Sequence, residues 1–502
     1  MQKPLKLPKI PRVNPREALM GWLMDSRAWP LYPLLVLYLL AYSLSGVPRT
    51  ELLKPVSRKE TFRDIAKPFK KVETLMAVGF SQAKALKVVG ESTPGRIIKG
   101  FLSRLAQAIS AGEDPSDFLS REYDTALIAY RSLHERAMVK IRRLADAYTA
   151  IISSYVFVSV NLVIMMIMWG SNWVRVLNLI IVSSALTLGS ISMAIYATAH
   201  PSKVAIARKI GGRIPRPLAA ALASIVVSAA PVVFIYTGTK PPIPPVFFVA
   251  ASGGLSMLFG MPSVRRVRVV KAMDEHYPTF IAALTGTMSA MGGRLREALA
   301  EVLRIDFGPL TRLVRRMLAR VKLGIDHETC WRVFGEESGS ELIRFHTDVF
   351  VDSTSAGAPV GRVGELIRKS VLEHLTLRKR REEAVAYVRG LLTPLHPSLS
   401  AVLGLITAIS TTFSRIISQY QLTVEIPFSI IKATPPSMIE LCFYSVLIVF
   451  TLMNSLAMSA VEGSQSPLPY YIGLFTASGG AAFFLTKAAL EALISKALGG
   501  LV

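Results

Sequence analysis

Apolar residues follow two patterns along this chain, and the alternation between them sets its organisation. In seven stretches (150–169, 174–199, 217–237, 242–261, 391–413, 438–461 and 467–486) they run almost unbroken and nearly free of charge. Each run is about as long as a helix must be to cross roughly 30 Å of hydrocarbon. In 48–149 and 262–390 apolar residues instead recur every three or four positions among charges, the period of amphipathic helices. Ile97, Ile98, Phe101, Leu102, Leu105 and Ile109 form one stripe, and Tyr277, Phe280, Ile281, Leu284, Met288 and Met291 a second. Leu310, Leu313, Val314, Met317, Leu318 and Val321 form a third. Such faces are stable only against one another, so each polar segment predicts a small helical bundle.

The expected fold class is therefore all-α: a polytopic membrane protein with about seven to eight transmembrane helices and two homologous helical-bundle domains. The expected boundaries are 1–47 for a basic tail and a first apolar segment, 48–149 for domain one and 150–261 for four spans. Domain two follows at 262–390 and the C-terminal spans at 391–502. Residues 31–47 are apolar but short, with Pro30 and Pro33 at their entry. As a span, which is the reading favoured here, they send Lys3, Lys6, Lys9, Arg12 and Arg16 outside, against the rule that basic loops stay in the cytoplasm. As an interfacial or re-entrant segment they raise no such conflict.

The two polar segments look like copies. Met76-Ala-Val-Gly79-Phe-Ser-Gln-Ala-Lys-Ala-Leu86 parallels Ser289-Ala-Met-Gly292-Gly-Arg-Leu-Arg-Glu-Ala-Leu299. A Pro/Gly step follows in each (Pro94-Gly95; Gly308-Pro309), then a basic amphipathic helix ending at Gly112 or Gly324. Gly79, Gly112, Gly292, Gly293 and Gly324 are read as helix C-caps and tight turns.

Net charge is +24, of which +4 lies in 1–27, +7 in 48–149, +5 in 200–216 and +6 in 262–390. The short 200–216 loop fixes its side as cytoplasmic, and chain parity then places both polar segments there. Basic surface beside spans meets membrane lipids first. No recognition motif accompanies it, so nucleic acid is not an expected partner. Cys330 and Cys442 are too far apart in sequence and setting for a disulfide or metal framework.

Candidate chemistry is sparse. Gly90-Glu-Ser-Thr-Pro-Gly95-Arg96 has phosphate-loop spacing, but Arg96-Ile97 stands where Lys-Ser/Thr would hold phosphate and magnesium. An inter-helix turn explains it. The histidines have no ligand spacing, and His396-Pro397 reads as an interface residue or helix breaker near a span end. Glu336-Glu337 could pair with basic residues of a partner, but reads first as a local turn cap. No catalytic, cofactor-binding or metal residues are expected, and the protein is not expected to be an enzyme. The spans offer only Asn161, Asn178 and Asn454 as strong polar groups, read as interhelical glue. Small-residue patches at 250–254 and 477–482 suit close helix packing, for a homodimer or for a groove taking a partner helix.

On these residues the chain resembles the platform family of type II secretion systems and type IV pili. Its four spans between the repeats are most like the archaeal members that serve archaella and adhesive pili, or the related Tad platform proteins. The family's turn positions correspond to Gly79, Gly292-Gly293, Gly112-Glu-Asp114 and Gly324-Ile-Asp326. Its later glycine-rich element corresponds to Ser355-Ala-Gly357-Ala-Pro-Val-Gly361, present only in the second segment. The resemblance implies a non-enzymatic, cofactor-free platform in the cytoplasmic membrane, homodimeric. Its soluble domains would engage a hexameric secretion ATPase and drive insertion of pilin- or archaellin-like subunits. Residues expected to dock that ATPase are Arg312, Arg315, Arg316 and Arg320, with the connector Arg378, Lys379, Arg380 and Arg381. A solute transporter or channel with cytoplasmic regulatory domains is the alternative.

Overall fold

The computed structural model describes residues 15–169, 173–199, 245–420, 436–463 and 467–497, with isolated positions between 219 and 230. The 200–216 loop, most of the 217–237 run and the tail lysines lie outside these residues. The described residues are helical, with no β-strand among them. In chain order the helices are α1 (Pro15–Ser43), α2 (Lys54–Arg58), α3 (Ala66–Ala77), α4 (Gln82–Ser92) and α5 (Arg96–Ser110). The long helices α6 (Pro115–Trp169), α7 (Trp173–Ala199) and α8 (Pro245–Ala290) follow. Then come α9 (Leu295–Val302), α10 (Thr311–Lys322), α11 (His327–Ser338) and α12 (Glu341–Ser355). The chain closes with α13 (Val360–Tyr420), α14 (Pro436–Glu462) and α15 (Leu468–Ala497).

The chain divides into two compact units: Met1–His134 with Val270–Thr376, and Glu135–Val269 with Leu377–Val502. Within the first, the duplication has a clear physical form. Gln82, Ala85, Leu86 and Val89 of α4 take the same i, i+3, i+4, i+7 positions as Leu295, Ala298, Leu299 and Val302 of α9, and all eight are buried. Gly79 (φ +98°) and Gly292 (φ +65°) turn the chain at equivalent places. After each, a backbone N–H reaches back five residues, Phe80 to Leu75 O at 3.1 Å and Gly293 to Met288 O at 2.8 Å. That bond satisfies a helix-end carbonyl, and a Cβ would oppose the φ it needs. Gly112, Gly324 and Gly357 close α5, α10 and α12 in the same way. Gly361 is different: it has no left-handed φ, and a Cβ there would come within 2.9 Å of Ser289 Oγ, so it lets α13 approach α8.

The first apolar segment is packed inside this unit. Leu35 to Ala41 are all buried in the core of this unit, and α1 is not among the helices apolar and long enough to span. Its polar groups explain why. Tyr32 stacks edge-on against Phe101 at 6.0 Å, and its hydroxyl donates to Glu122, which also binds Arg104. One turn and a half later Tyr38 donates to Asp352 Oδ2 at 2.7 Å, and Phe62 bridges Tyr38 to Phe345. Thus α1 lies between the first repeat (Phe101, Glu122) and the second (Phe345, Asp352), burying aliphatic faces on both.

Helices of membrane type lie in the second unit or run into it. Five described helices are long and apolar enough to span: Ile181–Ala199, Pro245–Ala290, Val360–Ile416, Pro436–Glu462 and Leu468–Ala497. Small residues bring α8 and α15 close. A Cβ on Gly473 would meet Met257 N at 2.6 Å, and one on Gly253 would meet Ala477 N at 3.3 Å. The two small-residue patches therefore pack on each other within one chain. Cys330 and Cys442 are both free and buried.

Candidate functional site

Helix α10 presents a two-sided sequence. Leu313, Val314, Met317, Leu318 and Val321 are buried, which turns Arg312, Arg315, Arg316 and Lys322 outward. The following helix is set by Asp326, whose carboxylate accepts from Thr329 N at 3.0 Å and is held below the usual carboxylate range by that bond. It runs back alongside α10 and brings Glu337 to two of the arginines. Arg320 meets Glu337 through both guanidinium nitrogens (2.5 and 3.2 Å), and Arg316 stands at 4.0 Å. Glu337 is therefore an ion-pair partner rather than a turn cap. Arg312 and Arg315 are exposed and have no ion pair among the described residues.

The connector residues of α13 separate in the same way. Lys379 and Arg380 are exposed and Arg378 half-buried, but Arg381 is only 8% exposed. Its Nη2 donates to the carbonyl of Ala199, the last residue of α7. A cation at a helix C-terminus is favoured by the carbonyls and dipole there. Arg381 thus closes α7 and is turned away from the exposed face that holds Lys379 and Arg380. Register explains the difference: Ala384, Val385 and Val388 share its inward stripe.

Several polar residues with no distinctive sequence signal are organised by the fold. Within the second unit His396 is 2% exposed, and α13 continues as helix through Pro394 and Pro397. It is neither an interface residue nor a helix end. Asn454 Nδ2 donates to His396 Nδ1 at 2.9 Å, leaving Nε2–H to donate to Phe475 O at 3.1 Å. Tyr148 donates to Asn454 Oδ1 at 2.8 Å, so one chain of bonds joins α6, α14, α13 and α15. Asn454 acts as interhelical glue; Asn161, by contrast, is exposed and bonds only to Phe157 O on its own helix. In the first unit His346 is buried, with Nδ1 at 2.8 Å from Leu342 O and Nε2 at 2.9 Å from Ser370 Oγ. Burial first, and then the neighbouring His374, push its pKa down to about 3.

The glycine-spaced turn before α5 is already occupied. Ile97 N donates to Asp25 Oδ1 at 3.1 Å, so a carboxylate from α1 sits where a helix N-terminus would receive phosphate. Among the described residues no group of three His, Cys, Asp or Glu is placed to hold a metal.

Spanning helices carrying a helical bundle built from two repeats define a multi-pass membrane protein. Along most of its length the chain is similar to flagella accessory protein J. The protein of that name from Methanocaldococcus jannaschii is 25% identical over 442 residues, covering 84% of this chain and 77% of the relative. The one from Methanococcus voltae is 23% identical over 442 residues, covering 84% and 78%. The resemblance to the archaeal platform type expected from the sequence is thereby shown. No protein-family model matches the chain, and no solved structure matches it.

Proposed function

We propose that this protein is the cytoplasmic-membrane platform of a type IV pilus-like machine, of the archaellum or adhesive-pilus kind. In this reading both repeats face the cytoplasm and take mechanical input from a hexameric secretion ATPase. The spanning helices guide insertion of pilin- or archaellin-like subunits. The protein itself carries no reaction centre, and ATP acts through the partner. The observation that carries the reading is the repeat pair packed around α1: one core holds both copies, so a push on either repeat moves the pair as one body. Similarity to flagella accessory protein J over 84% of the chain supports the class of machine.

Within this reading ATPase docking falls to Arg312 and Arg315, with Lys379 and Arg380 as further exposed cations. Arg316 and Arg320 contribute through their shared partner Glu337. A homodimer, if formed, uses surfaces other than the patches at 250–254 and 477–482, which are consumed inside one chain. The test is co-purification with the secretion ATPase from native membranes. Arg312→Glu with Arg315→Glu should abolish the association while membrane insertion and yield stay unchanged. Undiminished association would refute the docking assignment, and specific, saturable solute flux in liposomes without any ATPase would favour a transporter.

A further inference from the structure

The second unit holds a set of cations that neither the fold nor the docking proposal uses. Arg142 and Arg143 on α6, and Arg265, Arg266 and Arg268 on α8, are all exposed. None has an ion-pair partner among the described residues, although Arg142 lies 5.9 Å from the Tyr387 ring. Arg389 in the same unit, by contrast, binds Glu462 at 3.2 Å and Tyr471 at 3.1 Å.

Their height along the helices is what separates these five. At about 1.5 Å per residue, Arg142 and Arg143 lie roughly 10–12 Å before the apolar run that starts at 150. Arg265, Arg266 and Arg268 lie roughly 6–10 Å after the run that ends at 261. The headgroup layer is about 5–8 Å deep on each side, and a long basic side chain reaches back towards it from just outside. Lys379 and Arg380, on α13, stand further out. Tyr387 donates to Asp146 Oδ1 at 2.6 Å, which fixes the register of α13 against α6. In that register Lys379 and Arg380 sit roughly 17 Å from the start of the 391–413 run. All five near-surface cations are arginines, whose planar fork takes two phosphate oxygens at once, whereas lysine offers a single point charge.

We propose that Arg142 and Arg143 on α6, and Arg265, Arg266 and Arg268 on α8, bind the phosphates of anionic lipid headgroups. Arg142 and Arg143 precede the apolar run 150–169 on α6, and Arg265, Arg266 and Arg268 follow the run 242–261 on α8. This binding is independent of which machine the protein serves. An acidic protein surface is the competing occupant, and the set's closeness to the apolar runs disfavours it.

The experiment reads lipid retention on the full chain purified in mild detergent, by native mass spectrometry, with an anionic and a zwitterionic phospholipid of equal chain length supplied in turn. The wild type should retain the anionic lipid preferentially. Changing all five arginines to Gln should lower that retention about tenfold or more while zwitterionic lipid is unaffected, the scale expected for several charges at an anionic surface. Changing them to Lys should give an intermediate loss, because charge remains and the fork is gone. Arg312→Gln with Arg315→Gln should change nothing. If the five-fold Gln variant fails to insert, Arg142→Gln with Arg143→Gln and Arg265→Gln with Arg266→Gln decide separately, each with a partial loss. Equal retention in these variants would overturn the proposal. So would an equal loss in Lys379→Gln with Arg380→Gln, or loss of an acidic protein partner with lipid retention intact.

Discussion

The hydroxyl of Tyr38, in the interior of α1, donates to Asp352 Oδ2 at 2.7 Å on α12 of the second repeat, and Lys59 pairs with the same carboxylate. Burial and the adjacent Asp352 raise the Tyr38 pKa, so the phenol stays a donor at any working pH. A helix held by such contacts belongs to the core of the first unit. Reporters fused before α1 and at Gly46, just after it, should therefore report the same side of the membrane; opposite sides would restore the span. Leu37→Ala, at a fully buried position, should destabilise the first unit by about 2–5 kcal/mol, read by chemical unfolding.

His346 gives the unit a pH dependence whose sign is fixed by its burial. An unfolded histidine takes up a proton near pH 6.5, whereas the native one stays neutral down to about 3. Between those values only the unfolded state gains the proton. Stability therefore falls as pH drops from 6.5, by up to roughly 1.4 kcal/mol per pH unit. His346→Gln keeps a polar partner for Ser370 without a titrating ring. Its midpoint should move less between pH 7 and pH 5 than that of the wild type, and an identical shift in both would discard the assignment.

The repeats were legible in the sequence because glycine caps and the i, i+3, i+4, i+7 spacing around Leu86 and Leu299 are local signals. The place of α1 was not. A helix buried on nearly every side shows the same unbroken apolar run whether its neighbours are lipid or protein. The hints were its shortness and the hydroxyls of Tyr32 and Tyr38, groups that find partners more readily in a protein core than in hydrocarbon. The partners of Glu337 and Arg381 were illegible for a related reason. Arg320 and Glu337 are 17 residues apart on separate helices, and the carbonyl of Ala199 that takes Arg381 belongs to a helix remote in sequence. Such pairings become visible only after the helices are packed.

Glu337 offers a way to separate docking from folding. Exposed ion pairs are worth about 0–1 kcal/mol, so Glu337→Gln should leave the unfolding midpoint nearly unchanged. It would also release Arg316 and Arg320 into the face that holds Arg312 and Arg315. Association with an acidic partner should then be faster, and the rate should fall more steeply with salt than for the wild type. A rate unaffected by the substitution at low ionic strength would mean that the partner binds elsewhere.

The bonds joining Tyr148, Asn454 and His396 are a test of how much a buried polar chain contributes among spanning helices. Interhelical hydrogen bonds in membranes average only about 0.6 kcal/mol, whereas stranding a buried partner costs about 1–3 kcal/mol. Asn454→Leu strands two groups at once, the Tyr148 hydroxyl and His396 Nδ1, in residues 1–2% exposed. Its cost should therefore lie towards the upper range, measured by thermal unfolding in detergent. Tyr148→Phe alone strands only the Asn454 carbonyl oxygen and should cost less. Combined with Asn454→Leu it removes the hydroxyl that the first change orphaned, so the double variant should lose about 1 kcal/mol less than the sum of the singles. Strict additivity would mean that water or a local carbonyl satisfies Tyr148, and that the chain does not join the helices.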